Sequence, residues 1–179
     1  MRNTAFLAFG AALLVLQSNL FRIFDWLERR TEVAGQTPSL LLPLIVFMGV
    51  HEYSIARGAA LSFTLGYLLD VFAGAPVGLF TFITVATFVV ARAAGVRLAA
   101  QTLITKFGLA FVFALVQGVL IIVLTAIFGN DPARPRALVI LVLPHALSTA
   151  LFAPFVFAGA ERIHAVTITV PGAAEGAPR

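Results

Sequence analysis

Apolar runs long enough to cross a bilayer dominate this chain, and they leave it few ways to fold. A hydrocarbon core about 30 Å thick takes about 20 apolar residues of helix rising about 1.5 Å each. Stretches of this kind run from Thr4 to Phe21, Ser39 to Val50, Arg57 to Ala73, Val77 to Val96, Thr102 to Phe128 and Ala137 to Ala160. Lipid offers backbone groups no hydrogen bonds, so such stretches must be helices that satisfy themselves. The second is short and carries Pro43. With 60% hydrophobic and only 11% charged residues, against about 25% charged in soluble domains, 179 residues cannot hide this surface in a water-soluble core. The expected fold is an all-α integral membrane protein, a compact bundle of six transmembrane helices over residues 1–162. Residues 163–179, ending in Pro171-Gly172-Ala173-Ala174-Glu175-Gly176-Ala177-Pro178, lack material for a core and read as a disordered cytoplasmic tail.

Basic residues near span ends set orientation, and acids count for little. With the amino terminus inside, Arg2, Arg57, Arg92, Arg97, Lys106, Arg162 and Arg179 lie inside and Arg22, Arg29, Arg30, Arg134 and Arg136 outside, a split of seven to five. An even number of spans places both termini on the cytoplasmic side. The net charge of +4 then belongs to the membrane margins and does not point to nucleic acid. No small-x-small cleavage site follows Leu16, so the first stretch is expected to remain as an uncleaved span. The absence of cysteine excludes disulfides, iron–sulfur clusters and thiol chemistry.

The largest polar connection runs from Arg22 to Pro38. Its first part sets Leu20, Phe24 and Leu27 on one helical face and Arg22, Asp25 and Arg29 on another, with Trp26 in the aromatic belt. Two readings fit: a short interfacial helix, or the solvated end of the first helix.

Within this apolar chain, Asp70 is the sole acidic residue between Glu52 and Asp131. A charge at membrane depth costs a few kcal/mol or more, so it needs a partner or a purpose. Thirteen residues of helix from Arg57 raise it about 20 Å, some 10 Å short of the far boundary. A helix carboxyl end disfavours negative charge, and the alternation of Gly74, Pro76 and Gly78 just beyond stops the helix in a tight reversal. The nearest donors are the backbone N–H groups of that reversal and of the fourth helix's start. Asp70, Gly74, Pro76 and Gly78 therefore read as a structural corner, Asp70 stapling the third helix to the fourth; a proton- or ligand-binding role for Asp70 is the alternative.

Catalytic patterns are missing. His51-Glu52 opens like a zinc-protease signature, but Ile55 stands where the second histidine belongs. His145 and His164 fall in other segments, so neither a metal site nor a cofactor is expected. No nucleophile elbow, phosphate loop or carboxylate pair occurs, which argues against an enzyme. His145 follows Pro144, whose ring frees the carbonyl of Ile140, and reads as a local hydrogen-bonding group rather than a proton relay. Gln17, Asn19 and Gln117 read as inter-helix hydrogen-bonding groups. Small residues smooth one face of the first helix at Ala8 and Ala12, and of the third at Gly58, Ser62 and Gly66. Gln17, Arg57, Gly58, Gly66 and His145 are the candidates for structural or partner contacts.

Several of these residues carry a family resemblance. Leu16-Gln17, Pro38-Ser39-Leu40-Leu41-Leu42, Arg57-Gly58, Leu65-Gly66-Tyr67-Leu68-Leu69-Asp70 and the corner Gly74-Ala75-Pro76-Val77-Gly78-Leu79 resemble MreD, the rod shape-determining membrane protein family of bacteria. Pro154 with its aromatic neighbour late in the last span also fits, whereas Thr37 stands where many members carry arginine. The resemblance implies a non-catalytic inner-membrane component of the elongation machinery. On it, the chain would bind MreC and link MreB filaments to RodA and its transpeptidase, for cell shape and peptidoglycan synthesis. MreD-like chains are similar in fold to the substrate-binding subunits of energy-coupling-factor transporters. Those subunits dock a partner through small residues on their first helix, so a vitamin transporter subunit is the alternative function.

Overall fold

A computed structural model describes residues 2–31, 37–51, 54–73, 78–94, 102–128 and 134–168. They form α1 (Arg2–Thr31), α2 (Leu41–His51), α3 (Ile55–Ala73), α4 (Leu79–Ala93), α5 (Leu103–Phe128) and α6 (Arg134–Ile168). Four stretches are long and apolar enough to cross a membrane: Asn3–Phe24, Ile55–Ala73, Leu103–Phe128 and Leu138–Thr167. α2 and α4 are shorter. The fourth stretch, expected over Val77 to Val96, yields only 15 helical residues, or about 22 Å.

Local chemistry explains most boundaries. Pro43 sits at the third position of α2, where a backbone N–H has no intrahelical acceptor to lose, so the helix tolerates it. Gly78, at φ 100°, starts α4 from the left-handed region that a side chain rarely adopts. α5 opens on a reciprocal cap: the Thr105 N–H donates to Thr102 Oγ1 at 3.3 Å and the Thr102 N–H to Thr105 Oγ1 at 3.1 Å. α1 continues unbroken to Thr31, so the segment after Phe21 is the end of the first helix and not a separate interfacial one. α6 likewise runs past the expected boundary at residue 162 to Ile168. There Ile163 packs on the core and Thr167 Oγ1 donates to the Ile163 carbonyl at 2.8 Å. Residues 163–168, assigned to the tail from sequence, are thus helical; the remainder of the tail lies outside the described residues.

α2 forms the centre. Every residue from Leu40 to Met48 is buried, and Leu44, Ile45 and Val46 have no exposure at all. A helix apolar on all sides has no face to present to water and belongs in the interior. The other five helices surround it and each touches it, while α3 pairs with α4, α5 pairs with α6, and α1 bridges α3 and α6. Phe47 anchors one end of α2 against Phe6 of α1 and Phe157 of α6, ring centres 6.2 Å apart in both cases. Lys106 and Glu161, 2.6 Å apart, tie α5 to α6 near the same end. Many outward-facing side chains are large and apolar, among them Phe63, Phe82, Ile104, Ile140 and Phe155. In lipid such surface gives no drive to association, so helix packing rests on close contact and hydrogen bonds.

The α3–α4 pair shows that close contact. Gly58, Ser62, Gly66 and Asp70 recur every fourth residue and are all buried, which makes one continuous stripe along α3. A methyl group on Gly66 would overlap the Thr84 hydroxyl and lie 2.7 Å from the Thr81 Cα; one on Gly58 would overlap the Phe88 ring. Between them Thr84 Oγ1 donates to the Ser62 carbonyl at 3.0 Å.

Candidate functional site

The polar chemistry of the bundle gathers at the starts of α4 and α2. Asp70, 1% exposed, stands in the last turn of α3 and reaches across to α4. Its Oδ1 accepts from the Phe80 N–H at 2.7 Å. Its Oδ2 accepts from the Gly78 N–H at 2.9 Å, the Thr81 N–H at 3.2 Å and Thr81 Oγ1 at 2.6 Å. Gly78 has no side chain with which to cap α4, so the neighbouring helix supplies the cap, and the amino-terminal partial charge of α4 faces the carboxylate. Three of the four donors converge on Oδ2 and one reaches Oδ1, so both carboxylate oxygens are held by α4. Hydrogen bonds to a charged group contribute about 1.5–3 kcal/mol each, enough together to offset the burial of one carboxylate. Gly74 and Pro76, the other expected members of this corner, lie outside the described residues.

At the start of α2 the donors are held by neutral groups from distant helices. The Leu40 N–H donates to Gln17 Oε1 of α1, and the Ser39 N–H to Thr149 Oγ1 of α6, both at 3.0 Å. His145 Nδ1 lies 2.7 Å from the Thr37 carbonyl; a carbonyl only accepts, so Nδ1 carries the proton. Gln17 and His145, separate signals in the sequence, converge on one feature, the entrance of the chain into its central helix. Thr149 completes it, and nothing in the local sequence marks it out from other threonines.

Beside this entrance a crevice lined by Ser39, Leu69, Thr84, Thr87 and Gln117 has no room for a water molecule. Thr87 Oγ1 and Gln117 Oε1 are buried there without a hydrogen-bond partner, and Ser62 Oγ is likewise unpartnered in α3. The expected inter-helix bond of Gln117 through this oxygen is therefore not made. Asn19 differs too: its amide nitrogen donates to the Val15 carbonyl of its own helix at 2.9 Å. Two residues along from Gln17, it is rotated by about 200° and faces away from the bundle.

The small-residue faces also divide. Gly58 and Gly66 are filled by α4, whereas Ala8 and Ala12 are exposed on α1. Arg57 is exposed at the start of α3. At the far end of α2, tertiary structure brings together residues that sequence position separated: His51 and His164 have ring centres 5.8 Å apart. Among the described residues no three metal-ligating side chains form a group. No family model, curated protein or solved structure matches this chain.

Proposed function

We propose that this chain is a non-catalytic scaffold of the bacterial inner membrane, of the MreD kind. It holds the membrane helix of MreC and thereby links MreB filaments to RodA and its transpeptidase in cell-wall elongation. In this reading all six helices cross the membrane, with both termini cytoplasmic. α2 and α4, about 16 and 22 Å long, sit inside the ring or against it, where lipid thickness does not dictate their length.

The observation that carries the reading is the uncovered face of α1. Ala8, Ala12, Val15, Asn19, Arg22 and Trp26 are all exposed, and their alternating spacing of four and three is that of a helix–helix seam. Two alanines permit close approach, and Asn19 keeps its amide oxygen and a second N–H for a neighbour at membrane depth. Inside the bundle, by contrast, Asp70, Gln17, His145 and Thr149 are engaged in holding helices or the α2 entrance in place. A vitamin-binding reading would need a chamber, and the crevice beside α2 is closed even to water.

Photocrosslinking in cells tests the proposal. A crosslinker at Ala12 or Val15 is expected to capture MreC, while one at Phe82 on the opposite side of the α3–α4 pair is not. Capture of MreC from no exposed helix face would overturn the reading.

A further inference from the structure

We propose that the α3–α4 hairpin is a movable unit, which swings against the rest of the bundle and admits water to the crevice at their boundary. The hydrogen bonds and ion pair described above divide the molecule into two groups. Asp70 and Thr84 hold α3 to α4. Gln17, His145 and Thr149 tie α1 and α6 to the entrance of α2, and the Lys106–Glu161 pair ties α5 to α6. None of these bonds joins one group to the other. Across the boundary, Leu65 of α3 packs over Gly10 of α1, and Ala91 of α4 over Gly49 of α2. Apolar contacts of this kind can slide without breaking a directional bond.

The crevice lies on that boundary, with Leu69 from α3 and Thr87 from α4 facing Ile45 of α2 and Gln117 of α5. Each side contributes a stranded polar group. Thr87 is 1% exposed and Gln117 4%, and neither Thr87 Oγ1 nor Gln117 Oε1 has a hydrogen-bond partner. A threonine in an apolar helix ordinarily bonds its own backbone, as Thr84 Oγ1 does to the Phe80 carbonyl at 2.9 Å; Thr87 does not. A hydroxyl can donate and an amide oxygen accepts, so water can serve both. Buried groups left unpaired penalise the closed packing, and the crevice is too narrow for a water molecule to relieve them. A swing of the hairpin that lets water in satisfies both groups and offsets the apolar contact it gives up. The bonds of Asp70 to α4 stay inside the moving unit, so the corner is not disturbed. Closed and hydrated arrangements are thereby brought close in free energy, and the boundary opens and recloses.

The test uses the full chain in lipid bilayers. It has no cysteine, so a single introduced thiol reports alone. Thr87→Cys is expected to react with a small water-soluble methanethiosulfonate reagent, whereas Ala153→Cys, at a fully buried position of α6 away from the crevice, is not. Gln117→Leu removes a group that hydration satisfies and should slow the reaction of Thr87→Cys by about tenfold. In the unmodified protein, hydroxyl radicals generated from water should oxidise Ile45, which lines the crevice, more than Leu44, which is equally buried on the same helix but does not. A thiol at position 87 that reacts no faster than one at 153, a rate indifferent to Gln117→Leu, or equal radical labelling of Ile45 and Leu44 would each overturn the proposal. The radical labelling decides the matter if a variant does not fold.

Discussion

The starts of α4 and α2 solve the same problem with opposite means. Both are helix amino termini that bring backbone donors into a buried, apolar setting. At α4 one carboxylate, eight to eleven residues upstream of its partners, takes four donors. At α2, single neutral groups 23, 108 and 110 residues away in sequence take one contact each. The difference follows from charge. A carboxylate at membrane depth needs several donors to be tolerated, which a hairpin can arrange because its two helices are joined by a short connection. An amide, a hydroxyl or an imidazole is acceptable with one bond and can be recruited across the bundle.

The comparison can be broken by removing each device. Asp70→Ala strips three backbone donors and the Thr81 hydroxyl of their acceptor and should have the largest effect, about 3–5 kcal/mol, read as loss of folded protein in detergent or as the unfolding midpoint in a denaturant series. Asp70→Asn keeps one oxygen and turns an amide N–H toward donors, so its loss should be smaller but still about 1–3 kcal/mol; full stability in Asp70→Asn would mean that charge is not what the corner requires. Gly66→Ala forces α3 from the Thr81–Thr84 face of α4 and should cost about 1–3 kcal/mol, readable as a lowered Tm. At α2, Thr149→Val and Gln17→Leu should each cost about 1 kcal/mol. A double-mutant cycle should give an interaction of about 0.5 kcal/mol or more, because both groups hold adjacent N–H groups of one turn; strict additivity would show that the entrance is not a unit. Gln117→Leu, which removes a buried acceptor that has no partner, should be neutral or slightly stabilising.

This contrast also explains what could be read from the sequence. Asp70 stood out as a lone charge among apolar residues, and its partners lie just downstream, so helix geometry alone pointed to them. Gly58, Ser62 and Gly66 were visible as a small-residue stripe, although only the packing revealed that α4 fills it. Gln17 and His145 were recognisable as polar groups in need of partners, but nothing local could show that both serve the Thr37–Leu40 entrance. Thr149 was invisible, since a threonine in an apolar helix ordinarily bonds its own backbone. Asn19 shows the reverse error: polarity suggested a bond to another helix, and helical phase turned it outward. The approach of His51 to His164 depends on α6 crossing the end of α2, which spacing along the chain does not encode.

The burial of α2 bears on how the protein is made. Its entrance is complete only when Thr149 and His145 of α6 have been synthesised, more than a hundred residues after Ser39 and Thr37. Until then the second helix to leave the ribosome has exposed donors and a loop-bound amino end that lipid cannot satisfy. If α2 crosses the membrane as proposed, its amino end has to be held in a provisional site until α6 arrives. Early in the order of translation, α2 is late in the order of assembly. A truncation ending before α6 should accordingly be a substrate for membrane quality control even though four of its helices are intact.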